Sequence, residues 1–191
     1  MKHIIVRRII VGVSGASGSA YAFALMRALH ATPGVETHLV LSKQAPLTIS
    51  LEMSGQDAAD LEKLAAVVHR ESDLAASISS GSFHTDGMVV IPCSIKTASS
   101  IAYSFNDNLI ARAADVCLKE RRKLVLVVRE TPLHLGHLRT LTQLAEIGAV
   151  ILPPVPGLYA RPQSVEDVVN HTVGKVLDQL GIENELFTRW R

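Results

Sequence analysis

Four clusters of residues in this chain have types and spacing that suit chemistry. Gly12-Val13-Ser14-Gly15-Ala16-Ser17-Gly18 places small residues and hydroxyls where a β-branched run gives way to helical spacing. Amides at the start of a helix are free to meet an anion, so a glycine and serine turn there suits a single phosphate. Cys93-Ser94-Ile95-Lys96-Thr97 offers a second anion-friendly edge after another apolar run, although Ser94 and Thr97 also suit plain helix caps. Arg129-Glu130-Thr131-Pro132-Leu133-His134 ends a third run with a cation, a carboxylate and an imidazole; an Arg129 to Glu130 ion pair or a solvated turn is the alternative. Pro156-Gly157-Leu158-Tyr159-Ala160-Arg161-Pro162, followed by Lys175, offers a phenol and a cation, though Tyr159 taken alone reads as readily as a core residue.

Other chemistries fit less well. Gly12-x-x-Gly15-x-x-Gly18 lacks the spacing of a dinucleotide fingerprint, and Leu41 is followed by Ser42 where an NAD enzyme would carry an acid for the ribose. Gly174-Lys175 lies within a helical stretch and not in a Walker loop. A mononucleotide such as FMN, with one phosphate, remains the better fit for the first turn. His134-x-x-His137 pairs two imidazoles without an evident third ligand, so no metal is expected. Cys93, ending a buried strand, reads as a small hydrophobe, and Arg121-Arg122-Lys123 as a solvated turn.

These clusters need elements to hold them. Ile9–Val13, Val35–Leu41, Gly87–Pro92 and Lys123–Val128 are apolar, β-rich runs, and a short fifth strand is expected at Ala149–Leu152. Helices are expected over Ala20–Leu29, twice within Lys43–Val68, over Ser94–Lys119 with a kink near Phe105-Asn106-Asp107, and over Leu135–Ile147. The last runs from a Ser164 cap with Asp167 three residues on to Gln179-Leu180, stopped by Gly181. Leu74–Phe83, rich in serine, reads as a short helix and loop, and Pro153–Gly157 as a rigid loop. Apolar strands alternating with helices predict one α/β domain, a three-layer αβα sandwich with a doubly wound, mainly parallel, Rossmann-like sheet. Ligands then bind beyond the carboxyl ends of the strands, where the first three clusters lie.

Composition sets outer bounds. The chain has 191 residues, 19 Lys and Arg against 18 Asp and Glu, and a net charge of +1, so no global field favours nucleic acid or an anionic membrane. Aromatic residues make up 4%, too few for a base-stacking platform. No run approaches the about 20 apolar residues of a membrane span, and the start, Met1 to Arg8, does not read as a signal peptide. Two cysteines, Cys93 and Cys117, in no paired motif suggest a reducing cytoplasm. A hydrophobic fraction of 48% suggests self-association.

Together with Glu36–Lys43, Pro92-Cys93-Ser94, Arg112-Ala113-Ala114-Asp115-Val116, Lys119–Leu124 and Pro153-Pro154-Val155-Pro156, the glycine turn and the Arg129–His134 block resemble the UbiX-type flavin prenyltransferases, formerly called aromatic acid decarboxylases. The resemblance is ordered along nearly the whole chain. It implies a homododecamer that joins the prenyl group of dimethylallyl phosphate to N5 and C6 of reduced FMN without a metal. The prenylated FMN then serves a separate UbiD-type decarboxylase. Carried over by position, FMN contacts fall on Gly15, Ala16, Ser17, Ser42, Ser94, Ile95, Lys96, Thr97 and Arg129. Prenyl-phosphate contacts fall on Tyr159 and Lys175, with Arg112, Lys119, Arg129 and Glu130 lining the same site. Glu52 and Trp190 match further active-site positions. Ser17, Glu52 and Glu130 are the implied catalytic residues, with Glu130 the first candidate among the carboxylates for moving protons and Ser17 positioning N5. The local departure is Ile95-Lys96, where many members carry small residues such as Thr-Gly. Fixed cations and a phenol would stabilise the charge developing on a departing phosphate. The final helix and tail are expected to complete the active site or the oligomer. The rival functions are FMN-dependent decarboxylation of an aromatic acid and a flavoprotein acting as carrier or on cysteine.

Overall fold

The computed structural model describes residues 6–190, so the Met1 to Ile5 part of the chain's start lies outside it. Six strands, β1 (Arg7–Val13), β2 (Val35–Leu41), β3 (Val67–Arg70), β4 (Gly87–Cys93), β5 (Lys123–Val128) and β6 (Val150–Ile151), form one sheet in the order β3-β2-β1-β4-β5-β6. Every pairing is parallel. Between them run α1 (Ser19–Ala31), α2 (Ala45–Glu52), α3 (Ala58–Glu62), α4 (Ile95–Ala102), α5 (Leu109–Lys119) and α6 (Leu135–Glu146), with α7 (Val165–Gln179) closing the chain's helices.

The alternation along β1 explains the three layers. Ile9, Val11 and Val13 face one core with Phe23, Met26 and Leu29 of α1 and Val173, Val176 and Leu177 of α7. Ile10 faces the other core with Val90 of β4, Ile110, Ala113 and Ala114 of α5 and Leu144 of α6. Each fully buried side chain of this size contributes roughly 1.5 to 3 kcal/mol, so apolar residues on both faces of one strand demand helices on both sides. β2 and β3 lie on one side of β1, and β4, β5 and β6 on the other. The crevice at the carboxyl ends of β1 and β4 is the ligand position such a sheet creates.

Three expectations change. Val67 and Val68, read as the end of a helix, belong to β3, a four-residue edge strand whose two valines stay exposed, which is why an apolar-face signal was missing. The helix expected over Ser94–Lys119 is two helices, broken from Tyr103 to Asn108, where Asn108 caps α5 by accepting from the Ala111 amide. The strand expected over Ala149–Leu152 is confined to Val150–Ile151. The Ser164–Asp167 capping box forms as expected, with each side chain accepting from the other's backbone amide.

Candidate active site

One hydroxyl makes three of the bonds that hold the crevice together. Ser14 Oγ, buried, donates to Pro92 O at 2.8 Å and accepts from the Ser94 amide at 2.9 Å and the Ala16 amide at 3.3 Å. It locks the turn after β1 to the turn after β4. Gly15 has no room for a side chain, since a Cβ there would stand 2.5 Å from Gln44 Cβ, and Gly18 sits at φ 120°, which favours glycine.

The amides at the start of α1 are already engaged. Glu52, from the end of α2, accepts from Gly18 N at 3.1 and 2.9 Å and from Ser19 N at 2.7 Å. Burial pushes its carboxyl up, but hydrogen bonds from the Ser17 hydroxyl and the Ser19 and Gly18 amides outweigh this and hold it below the ordinary range. The first turn was expected to offer those amides to a phosphate; instead a carboxylate of the chain itself caps them, as the positive end of a helix favours.

Free anion-binding capacity lies next to it, at α4. Ser94 Oγ caps the helix by accepting from Thr97 N at 3.2 Å and pairs with Thr97 Oγ1 at 3.0 Å. Ile95 and Lys96, in the first turn, contribute amides with no acceptor within the helix. Gly15, Ser42, Lys43, Ser94, Lys96 and Thr97 line a cleft of about 440 Å³. Glu71 helps shape it by accepting from the Lys43 amide at 2.7 Å. Two polar atoms beside this region, Ser42 Oγ and Arg129 Nε, are buried without a hydrogen-bond partner among the described residues. Both can donate, and an unpaired buried donor is costly, so they suit the oxygens of a ligand. The residues present therefore fit a phosphorylated cofactor such as FMN.

Arg129 extends β5 by donating its amide to Cys93 O at 3.0 Å. Its neighbour Glu130 is exposed and accepts from the Thr131 amide at 3.0 Å, so the two side chains do not make the ion pair that sequence alone allowed. His134 Nδ1 accepts from the Gly136 and His137 amides, which makes it the cap of α6. Burial pushes the Cys93 thiol up to about 12, as suits an inert core group.

The remaining expected residues form two further groups. Arg112 and Lys119, both on α5, face the serine-rich segment and line a shallow cleft with Ser79, Ser80, Gly81 and Glu120. Arg112 donates to Ser79 O at 3.0 Å and pairs with Asp115 at 3.4 Å, and Lys119 pairs with Glu120. Tyr159, Lys175 and Trp190 gather on and around α7. Tyr159 packs edge-on against Trp190 at 5.3 Å between ring centres and bonds His171 at 3.2 Å. Asp178 accepts two bonds from Arg189, at 2.8 and 2.9 Å, and stands 3.8 Å from Lys175, tying the tail to the helix. The Arg189 guanidinium holds the Asp178 carboxyl below its usual range.

Sequence reasoning missed Asp115 as the partner of Arg112 and His171 as the partner of Tyr159. Asp115 had a signal, its i+3 spacing on a helix; a lone histidine on α7 had none.

Comparison with known proteins decides the family. Residues 2–177 match the flavoprotein family model. Flavin prenyltransferase UbiX of Escherichia coli strain K12 is 58% identical over 187 residues, covering 97% of this chain and 98% of that protein. The chain belongs to the UbiX flavin prenyltransferase family. Among solved structures, AnUbiX (PadA1) in complex with FMN and dimethylallyl pyrophosphate is 47% identical with a TM-score of 0.95, covering 97% of this chain and 98% of that one. A dodecameric FMN-dependent UbiX-like decarboxylase from Escherichia coli O157:H7 is 50% identical with a TM-score of 0.94, covering 96% and 99%. The α/β flavoprotein fold expected from sequence is the fold of this family. Among the described residues, no helix is long and apolar enough to cross a membrane.

Proposed function

We propose that the chain transfers the dimethylallyl group of dimethylallyl phosphate to N5 and C6 of reduced FMN, releasing phosphate and yielding prenylated FMN for a UbiD-type decarboxylase. The observation that carries this reading is the pair of buried unpartnered atoms, Ser42 Oγ and Arg129 Nε, beside a hydroxyl-lined cleft, in a chain 58% identical to a flavin prenyltransferase. Reduced FMN supplies the nucleophilic nitrogen and carbon. Gly15, Ala16, Ser42, Ser94, Ile95, Lys96, Thr97 and Arg129 hold it, with Ser17 positioning N5. Arg112, Lys119, Tyr159 and Lys175 bind the phosphate and stabilise its charge as the carbon–oxygen bond breaks. Glu130, exposed and without a cation partner among the described residues, passes the protons of ring closure: one is given to the prenyl alkene carbon as C6 bonds to its neighbour, and the one C6 loses is taken back. Glu52 supports catalysis by fixing the Ser17 turn, and Trp190 covers the substrate against water.

Within one chain, no hydrogen bond or shared cavity among the described residues joins the Tyr159, Lys175 and Trp190 group to the cleft. We therefore place the complete site between subunits of a homo-oligomer, a dodecamer like its Escherichia coli relative, with one flavoprotein domain per chain. Exposed Leu47, Leu51, Leu135 and Val165 are the apolar surface such contacts would cover. Two unpaired, buried cysteines suit a reducing cytoplasm as the site of action.

Mass spectrometry of flavin extracted after incubation with reduced FMN and dimethylallyl phosphate tests the reading. A flavin heavier by one five-carbon unit is expected. Unmodified FMN, together with loss of carbon dioxide from an aromatic acid, would replace it with the decarboxylase reading.

A further inference from the structure

We infer that His171 is a positioning residue for prenyl transfer: its Nε2–H donates to the Tyr159 hydroxyl oxygen and leaves the phenol's own O–H to donate to the substrate phosphate. The inference rests on the reading of Tyr159 as a phosphate contact.

His171 is held from several sides. Its Nε2 lies 3.2 Å from Tyr159 Oη, and the two rings meet nearly at right angles with centres 5.8 Å apart. Phe187 of the tail packs edge-on at 4.9 Å. Gly157 closes the other side, where a Cβ would fall 2.6 Å from Nε2, so the loop carrying Tyr159 lies directly on the imidazole. The ring thus joins the Tyr159 loop, α7 and the tail.

The second ring nitrogen decides the direction of the bond. Nδ1 is buried and has no hydrogen-bond partner among the described residues. A neutral imidazole carries one N–H, and placing it on Nδ1 would orphan a buried donor, whereas a lone pair there costs less. The network therefore assigns the proton to Nε2, which then donates to the phenol oxygen and cannot accept from it. Tyr159, half-exposed, is left with an O–H that must seek an acceptor away from the ring. A phosphate oxygen gaining charge as it departs is the strongest acceptor a neutral donor can meet there. With the opposite tautomer, the phenol would spend its proton on the histidine and offer the anion only lone pairs.

The test follows prenyl transfer and FMN affinity side by side. His171→Leu should slow transfer about tenfold with FMN affinity unchanged, and His171→Gln, which restores an N–H, should recover most of the rate. In a Tyr159→Phe background, His171→Leu should add nothing further, because the residue acts through the hydroxyl. Effects that multiply in the double variant, or Gln and Leu variants equally slow, would overturn the assignment. Tyr159→Phe running at the wild-type rate would overturn the parent reading of Tyr159, and this one with it. Nitrogen-15 shifts of the His171 ring in the unmutated protein check the tautomer independently: a protonated Nε2 supports the inference, and a protonated Nδ1 refutes it.

Discussion

At the strand ends, the groups that would hold a flavin are fixed by the backbone before any ligand arrives. Ser14 ties the turns after β1 and β4 together, Glu52 caps α1, Ser94 caps α4, and two polar atoms are buried without partners. At the carboxyl-terminal edge the corresponding side chains are open. Trp190 is 79% exposed and Tyr159 46%, and they are held by each other, by His171 and by the Asp178–Arg189 pair. On the proposed assignment, the difference teaches that one chain builds a half-site for the flavin and displays a second half whose counterpart would lie on a neighbour. Preorganised donors lower the cost of binding, while an exposed edge gains its dielectric and its water exclusion only on assembly.

Variants that separate chemistry from binding should break this comparison most visibly. Ser17→Ala and Glu130→Gln should retain FMN, as read from the visible spectrum of the purified protein, yet lose prenyl transfer by about a hundredfold or more. If both prenylate at the wild-type rate, neither belongs to the chemistry. At the open edge, Tyr159→Phe and Lys175→Ala should each slow transfer by at least about tenfold while FMN affinity stays nearly unchanged, since each removes one charge-assisted bond to phosphate worth roughly 1.5 to 3 kcal/mol. Collapse of FMN binding with normal turnover per bound flavin would move these residues to the flavin half. Ser42→Ala should do the reverse, weakening FMN in an equilibrium titration by about threefold to tenfold and sparing turnover at saturation.

The smallest effect concerns stability. Glu52→Gln removes a charged cap from α1, and a lost cap costs about 1 kcal/mol, or roughly 2 to 4 °C in a chain of this size. The Glu52 carboxyl is held below its ordinary range, so its stabilisation is present above the unfolded-state value and is lost as pH falls through the folded-state value. The melting-temperature gap between wild type and variant should therefore close in acid. A gap independent of pH would mean that Glu52 acts through its shape alone.

How much of this was legible in the sequence varies by region. β1, β4 and β5 carry continuous apolar runs because both faces are buried, and such runs are hard to misread. β3 was lost because an exposed edge strand of four residues has neither burial pattern nor length. The strand-end turns announced an anion site, but only the fold brings Glu52 onto the amides of α1, because that contact joins residues 34 positions apart. Tyr159, Lys175 and Trp190 came from family resemblance; Lys175 and Asp178 have i+3 helical spacing, but nothing in the spacing predicts that Tyr159 reaches His171 and Trp190. Three-dimensional neighbours brought together by a loop and a tail leave no periodic trace.

Subunit complementation tests the division into two halves most directly. Glu130→Gln and Lys175→Ala chains, slowed alone by at least about a hundredfold and tenfold, can be co-expressed with different tags and isolated as mixed oligomers. If each site takes Glu130 from one chain and Lys175 from another, random mixing leaves about one site in four with both residues intact, and activity should return to about a quarter of wild type. Mixed oligomers no more active than their parents would show that both halves come from the same chain, and the account would fail.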